Sequence, residues 1–212
     1  MSFDWIQEKD PLLVYIADPM CSWCYGFAPE ITQVKAQLTG YQFKLVMGGL
    51  RPYGTETIKS IGGMLRHHWE EVGKASGQPF QFDLLDKEGF VYNTEPACRA
   101  VVTARKIAPD KEFDYFKAAQ KAFYFENKDT NQSNTFLAIA ESLEIDRQEF
   151  SENFESEDIR YETRTDFQVS AEMGIRGFPS VILRHKGQFF LVANGYRKAE
   201  DLWKVIEKIQ SE

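Results

Sequence analysis

Two of the three cysteines in this 212-residue chain, Cys21 and Cys24, stand between a predicted strand and a predicted helix. The run before them, Leu12–Ala17, is apolar and rich in residues that favour strands. The helical pattern after them is followed by a second predicted strand at residues 41–50. Because a helix of this length can join neighbouring parallel strands, we predict a strand–helix–strand unit with both cysteines at the start of its helix.

The remainder of the chain predicts that helices interrupt this unit. Residues 55–157 carry mostly the 3.6-residue periodicity of helices, with no repeat and no low-complexity linker. The residues after 157 return to a mixed pattern of one helix, two strands joined by a tight turn, and a closing helix. We therefore predict an α/β fold in which residues 1–54 and 158–212 form one discontinuous domain, with residues 55–157 as an inserted all-helical subdomain.

The spacing of the two cysteines suits disulfide exchange. It places their sulfur atoms one helical turn apart, so a disulfide can close with little backbone motion. Unpaired N–H groups and the dipole at a helix start favour the thiolate, the attacking species in disulfide exchange, at Cys21. Cys24 lies deeper and is placed to attack the resulting mixed disulfide. We predict that Cys21 is the nucleophile and Cys24 the resolving thiol, with Asp18 as a candidate proton acceptor during resolution.

The order of these features resembles a known family. A strand, a CxxC motif, a helix and a strand precede a helical insertion, and Gly-Phe-Pro-Ser at residues 177–180 precedes a hairpin, as in the DsbA-like thioredoxin superfamily. Residues 18–27, DPMCSWCYGF, are especially similar to its FrnE-type cytoplasmic branch. The resemblance covers essentially the whole chain. It implies a thioredoxin-like fold and disulfide oxidoreductase or isomerase activity, with Cys21, Cys24 and Pro179 in matching positions.

The loop at Pro179 supplies the second part of the candidate site. A proline at the head of a strand is a candidate for a cis peptide bond. In a thioredoxin-like fold this loop faces the cysteine pair, so the Phe178 backbone is placed to pair with a substrate chain as in strand addition. Trp23, between the cysteines, offers an apolar surface to a substrate. The predicted substrate-binding residues are Ser22, Trp23, Phe178 and Pro179.

The chain departs from this family in two places. Ser22 and Trp23 stand between the cysteines where the periplasmic oxidant has Pro-His. No histidine therefore lies beside Cys21 to hold its thiolate, and we expect a less oxidising protein. FrnE-type proteins can carry a second cysteine pair, whereas this chain has only Cys98, which lies among apolar residues of a predicted helix. We predict a buried, unreactive thiol there.

Charge and hydropathy limit the partners. The formal net charge is −7 and no lysine or arginine cluster stands out, so we expect no nucleic-acid partner. No apolar run approaches the length of a membrane span. Residues 1–11 are charged and have no apolar segment, so we expect no secretory signal and predict a cytoplasmic location. The expected partners are protein or small-molecule thiols and disulfides. Family resemblance adds glutathione as a co-substrate, and no metal or organic cofactor is required.

A metal site is one alternative role for the cysteine pair. Two cysteines supply only half of the ligands of a zinc site, so two further ligands at a suitable spacing would be needed. The adjacent histidines of the chain point about 100° apart on a helix and are expected at the surface. The remaining candidates, none with finger-like spacing, are Cys98, His67, His68 and His185. We therefore predict no metal site.

Two other functions stay open. Kappa-class glutathione transferases and chromene-carboxylate isomerases resemble this architecture and use glutathione. Those enzymes generally carry serine at the reacting position, so the intact pair of Cys21 and Cys24 argues against them. The other function is that of a binding module, such as a chaperone or a redox-sensing adaptor, which would use the groove between the domains without turnover.

Overall fold

The computed structural model describes residues 11–211, so the prediction about a secretory signal in residues 1–11 lies almost entirely outside the described residues. The described chain forms a four-stranded sheet made of β1 (Leu12–Ala17), β2 (Gln42–Met47), β3 (Ser180–His185) and β4 (Gln188–Asn194). The strand order is β2-β1-β3-β4. β1 and β2 are parallel, as predicted, while β3 runs antiparallel to both β1 and β4.

Helices make up most of the rest of the described chain. They are α1 (Ser22–Gln37), α2 (Gly62–Ser76), α3 (Glu95–Ile107), α4 (Glu112–Tyr124), α5 (Ser133–Ser142), α6 (Arg147–Glu155), α7 (Glu157–Glu172) and α8 (Ala199–Gln210). Helices α2 to α6 follow one another between β2 and α7, in the region predicted to be helical. The mixed sheet and its helices confirm the predicted α/β fold class. Within residues 11–211, no helix is both long and apolar enough to cross a membrane.

β1 is the central element of the fold. All six of its residues are buried, because helices cover the sheet on both faces, and its sequence is accordingly a continuous apolar run. One face, which includes Val14, packs in a small cluster with Val169 of α7 and Ile182 of β3. The other face, which includes Tyr15, belongs to the main core. The residues that follow β1 are therefore held at a fixed place beside the sheet.

α1 connects the sheet to the helical region. On one side Phe27 packs on Tyr15 of β1, with ring centroids 5.8 Å apart. On another side Tyr25 stacks on Tyr124 of α4 at 5.0 Å, and Trp69 of α2 packs edge-on against the same tyrosine, also at 5.0 Å. Aromatic pairs of this kind add specific geometry to the burial of apolar area. The helix that begins at the cysteine pair is thus fixed from both sides.

A buried ionic cluster covers the outer edge of β2. Asp166 of α7 accepts a hydrogen bond from the Met47 amide at 2.8 Å and from the Arg105 guanidinium at 2.7 Å. Arg105 also donates to the Leu45 carbonyl at 3.0 Å and to Glu112 at 2.6 Å. These bonds satisfy backbone groups that an edge strand would otherwise leave unpaired. They also tie α3, α4 and α7 to the sheet.

The structure shortens one predicted strand. The prediction of 41–50 is wrong at its end, because β2 ends at Met47. Gly48 then donates to the Ala17 carbonyl at 2.7 Å, and the Leu50 amide donates to the Asp18 carboxylate at 2.7 Å. The chain after β2 is therefore turned toward the residues that precede Cys21.

Candidate active site

A tight turn carries the chain from β1 into α1 and fixes the position of Cys21. The Cys21 amide donates to the Asp18 carbonyl at 3.1 Å, and the Met20 amide donates to the Asp18 carboxylate at 2.8 Å. Cys21 has an extended backbone and is the residue immediately before the helix. The residue is 5% exposed, so Cys21 is almost completely buried at the end of α1 where N–H groups are unpaired.

The loop before β3 lies opposite this sulfur. The Cys21 Sγ is 3.6 Å from the Phe178 carbonyl oxygen, and the Phe178–Pro179 peptide bond is cis. The Phe178 ring lies directly over Gly48, where a Cβ atom would come within 2.1 Å of the ring. Only glycine leaves room for the ring at this position. The structure therefore brings Cys21, Phe178 and Pro179 together, from parts of the chain that are far apart in sequence.

Cys24 lies one turn deeper in α1 and is fully buried. Burial raises the pKa of its thiol well above the ordinary value, and a hydrogen bond with Cys21 and the charges of Cys21 and Asp18 add to this effect. At neutral pH the Cys24 thiol therefore keeps its proton. All three cysteines of the chain carry free thiols in the structure.

The Asp18 carboxyl group is fully buried beside the two thiols. One oxygen accepts from the Met20 amide, and the other accepts from the Leu50 amide at 2.7 Å and from the Cys98 thiol at 3.3 Å. The nearby Thr94 hydroxyl also favours the ionised carboxylate. Burial raises the pKa of the carboxyl group above its ordinary value, and these donors offset only part of that rise. The sequence pattern indicated Asp18 itself, but it gave no sign of Thr94 or Cys98 as partners.

Two buried tyrosines surround the same thiols. The Tyr92 hydroxyl donates to the Met20 carbonyl at 2.7 Å, so it holds the turn before Cys21 from the far side. Burial, and then the nearby Cys24 and Cys21, raise the pKa of Tyr15 well above its ordinary value. In sequence, Tyr15 looks like one more apolar residue of β1. Only the alternation of side chains along the strand, which puts it on the face toward α1, signals its place.

Of the other residues considered from the sequence, Ser22 and Trp23 lie next to Cys21, and the histidines of α2 lie on the surface. Ser22 and Trp23 are the first residues of α1 and are partly exposed, and the Trp23 ring packs against Tyr196 at 5.9 Å. Cys98 is fully buried, as predicted. His67 and His68 are exposed on α2, where both contact Glu71. Within residues 11–211, no group of three or more His, Cys, Asp or Glu side chains is placed to hold a metal ion.

Curated relatives of this chain are distant. The chain is 22% identical over 193 residues to the ClpXP adapter protein SpxH of Bacillus subtilis. It is 21% identical over 177 residues to the protein of the same name from Bacillus licheniformis. These matches cover 89% and 82% of this chain, but only 64% and 58% of the relatives, so the chain spans about three fifths of their length.

Solved structures resemble the chain over almost its full length. A proposed protein disulfide isomerase from Nitrosomonas europaea is 37% identical, with a TM-score of 0.88, over 96% of this chain and 100% of that one. The cytosolic disulfide reductase DsbM from Pseudomonas aeruginosa, solved with GSH, is 24% identical, with a TM-score of 0.76, over 95% of this chain and 100% of that one. The likeness to the DsbM structure shows a shared fold.

A family model also matches most of this chain. The DSBA-like thioredoxin domain matches residues 13–206, which begin in β1 and end in α8. That range holds the complete sheet apart from its first residue, the cysteine pair and the loop with the cis proline. The match extends over far more than half of the chain, and the chain therefore belongs to the family of DSBA-like thioredoxin domains.

Proposed function

We propose that the chain is a thiol–disulfide oxidoreductase or isomerase that acts through the dithiol of Cys21 and Cys24. The observation that carries this proposal is the position of the Cys21 sulfur, at the start of α1 and 3.6 Å from the Phe178 carbonyl. A sulfur at a helix start is favoured as the nucleophilic thiolate. The fully buried Cys24 lies one helical turn behind it in α1.

The proposed reaction has two exchange steps. In the first, the Cys21 thiolate attacks one sulfur of a substrate disulfide, the substrate S–S bond breaks, and one substrate thiolate leaves. In the second, Cys24 loses its proton and attacks the Cys21 sulfur of the mixed disulfide, which releases the second substrate thiolate. The substrate is reduced by two electrons and the Cys21–Cys24 pair is oxidised. The same steps in reverse oxidise a dithiol of the substrate to a disulfide. In isomerisation the substrate ends with its disulfide formed between different sulfurs.

We assign Asp18 as the proton acceptor for the second step. The Cys24 thiol keeps its proton at neutral pH, so its attack on the mixed disulfide needs a base. The Asp18 carboxyl group is fully buried and is near enough for its charge to act on Cys24. Because the two groups interact, their protonation states are linked, and a proton lost by Cys24 can be taken up by Asp18.

We assign substrate binding to the residues beside Cys21. The Phe178 backbone, beside the cis Pro179, faces the attacking sulfur and suits pairing with an extended substrate segment. Ser22 and Trp23 lie on the other side, and the partly exposed indole offers an apolar surface.

We propose glutathione as the small-molecule partner and the cytoplasm as the location. The support is the similar fold of a cytosolic disulfide reductase that has been solved with GSH. The reaction needs no metal or organic cofactor, because the two sulfurs carry both electrons.

Trapping of the mixed disulfide tests the proposal. We expect the Cys24→Ser variant, incubated with oxidised glutathione, to accumulate one glutathionyl group on Cys21, because no resolving thiol remains. Intact mass and peptide mapping measure this. The matched Cys21→Ser variant keeps the buried Cys24 and should remain unmodified. Equal labelling of both variants, or of neither, contradicts the proposal.

The glutathione-dependent transferases and isomerases are the rival enzyme class. Their chemistry needs one reacting side chain and no dithiol. If Cys24→Ser keeps full turnover of a glutathione-conjugating or isomerising substrate and loses disulfide reduction, the rival is the correct function. The dithiol reaction is supported if Cys24→Ser loses disulfide reduction and the wild-type protein has no conjugating activity.

An adapter role is the second candidate, since both curated relatives are named ClpXP adapter proteins. An adapter binds its client without turnover, so a Cys21→Ala variant should still do so. The discriminating measurement is proteolysis of candidate clients by purified ClpXP with and without this variant. Acceleration by Cys21→Ala favours the adapter role.

A further inference from the structure

The donors to Asp18 come from two different parts of the fold. The Met20 and Leu50 amides belong to the loops that follow β1 and β2. The third donor is the Cys98 thiol of α3, and the Thr94 hydroxyl, four residues earlier at the start of that helix, also stabilises the carboxylate. Residues four apart on a helix lie on one face, so both side chains reach the same carboxyl group. The helical region therefore supplies one of the three hydrogen bonds to the Asp18 carboxylate, and a nearby hydroxyl that also stabilises its charge.

Thr94 is oriented toward Asp18 by its other bonds. It occupies the position before α3, yet its side chain makes no capping hydrogen bond to its own helix. Its oxygen instead accepts from the Arg51 amide at 3.1 Å. A hydroxyl group has one proton, and the bond from Arg51 leaves that of Thr94 free for the nearby Asp18 carboxylate, whose pKa the Thr94 hydroxyl lowers. A threonine at a helix start usually stabilises its own helix, so this use of Thr94 favours the site over the helix.

Cys98 is suited to donate and unsuited to react. Its side chain is fully buried, and its sulfur lies 3.3 Å from the Asp18 carboxylate. Burial, and then the charge of Asp18, raise the pKa of the Cys98 thiol well above its ordinary value. The thiol therefore keeps its proton, which is available for a hydrogen bond to the carboxylate.

We propose that Thr94 and Cys98 are positioning residues for thiol–disulfide exchange, because they hold the Asp18 carboxyl group in its ionised, proton-accepting form next to Cys24. This inference rests on the proposed function and adds the part that α3 plays in it. Removal of either donor leaves the carboxylate less stabilised, so a higher pH is needed to ionise it. As the pH is lowered, the rate of the second exchange step should therefore begin to fall at a higher pH than in the wild type. The rate at which Cys21 attacks the substrate should not change.

Other titratable groups lie around Asp18 and can affect how the reaction rate depends on pH. The charge of Asp18 raises the pKa of two thiols and two tyrosines, and the charge of Glu95 adds to the effect on Cys98. The two tyrosines stay neutral because burial raises the pKa of each. Glu95 is paired with Arg99 at 2.8 Å. These groups are Cys24 on α1, Tyr92 before α3, Glu95 and Cys98 on α3, and Tyr124 on α4.

The test compares two substitutions of similar size that differ in one donor. Full-length Cys98→Ala and Cys98→Ser proteins, in reduced form, are mixed with oxidised glutathione at a series of pH values and quenched in acid. Mass spectrometry follows formation and decay of the Cys21 mixed disulfide separately. We expect the midpoint of the decay rate to move up by about one pH unit in Cys98→Ala, or about ten-fold in rate below the midpoint. Cys98→Ser, which keeps a donor, should stay close to wild type.

A second pair makes the same comparison at the other donor. Thr94→Val removes the hydroxyl at nearly constant shape and should move the midpoint in the same direction, whereas Thr94→Ser should not. Equal profiles for Cys98→Ala and wild type overturn the inference. An equal shift in Cys98→Ala and Cys98→Ser also overturns it, because the effect would then come from packing. A wild-type protein that never forms the mixed disulfide contradicts the proposed function itself.

Discussion

At the scale of single residues, a buried carboxyl group beside two thiols has a measurable effect on stability. The pKa of Asp18 is raised by burial, so the folded protein binds this proton more tightly than the unfolded chain does. Stability from this source is present below about pH 4 and is lost as pH rises through the folded pKa. The ionised form that the reaction uses is therefore obtained at the expense of folding free energy.

Asp18→Asn should remove this pH dependence. The amide cannot accept from all of the present donors, so we expect the variant to be less stable than wild type at pH 4. Between pH 4 and pH 7 the variant should gain on the wild type by about 1.4 kcal/mol for each unit by which the folded pKa is raised. Urea unfolding at several pH values measures the difference. A difference that stays constant with pH, or widens as pH rises, argues against this account of Asp18.

Gly48 is the residue that allows Phe178 to lie against the loop after β2. In Gly48→Ala the new methyl group would overlap the Phe178 ring, so the ring and its loop must move. We expect a loss of about 1–3 kcal/mol in the free energy of unfolding. We also expect mixed-disulfide formation by Cys21 to slow by about ten-fold, because the Phe178 carbonyl faces that sulfur.

Gly63→Ala is the matched control for this substitution. Gly63 lies in α2, and a methyl group there meets nothing within 4 Å. Alanine is the better helix former, so the control should gain up to about 1 kcal/mol and react at the wild-type rate. The account of Gly48 fails if both variants react alike.

Single residues of the site could be predicted only where the sequence pattern is local. Cys21 and Cys24 follow from their spacing and from the strand before them, and Pro179 from its place at the head of a strand. Thr94 and Cys98 approach Asp18 only because α3 packs beside the turn, across about 80 residues of chain. No periodicity of α3 contains that information, and an apolar neighbourhood predicted only burial for Cys98.

At the scale of elements, the ionic cluster at the edge of β2 joins α3, α4 and α7 to the sheet. Arg105, 21% exposed, is paired with Asp166 and Glu112. In Arg105→Met both carboxylates lose their partner, and we expect a loss of about 2–4 kcal/mol. Its neighbour Lys106 is half exposed and pairs with Glu162, so Lys106→Met should change stability little. Urea unfolding compares the two, and equal losses contradict the structural role given to Arg105.

The elements themselves were largely predictable because each has a clear local pattern of apolar residues. β1 is an apolar run with both faces covered, and the helices show the 3.6-residue pattern. The error at the end of β2 is that the prediction carried the strand past Gly48 and Gly49, which mark its end, as far as Leu50. The Leu50 amide is bound by Asp18 instead, which is a contact between distant residues.

At the scale of the whole molecule, the sequence predicted a thioredoxin-like fold split by helices, and the family match confirms that fold. The limits of the two parts, 1–54 with 158–212 and 55–157, stay a prediction. How the helical region meets the sheet was not predictable, since it depends on aromatic contacts such as Tyr25 with Tyr124. Those contacts place α3 beside the redox pair, so the helical region contributes to the site.

The most direct test of the central claim is the redox equilibrium of the Cys21–Cys24 pair in glutathione buffers, followed by thiol trapping and mass spectrometry. We predict a reversible two-electron couple in which one disulfide joins Cys21 to Cys24 and Cys98 stays reduced. Its potential should lie below the roughly −120 mV of a strong periplasmic oxidant and toward the roughly −270 mV of a reductant. Failure to form a Cys21–Cys24 disulfide at any buffer ratio, in the folded protein, would contradict the account.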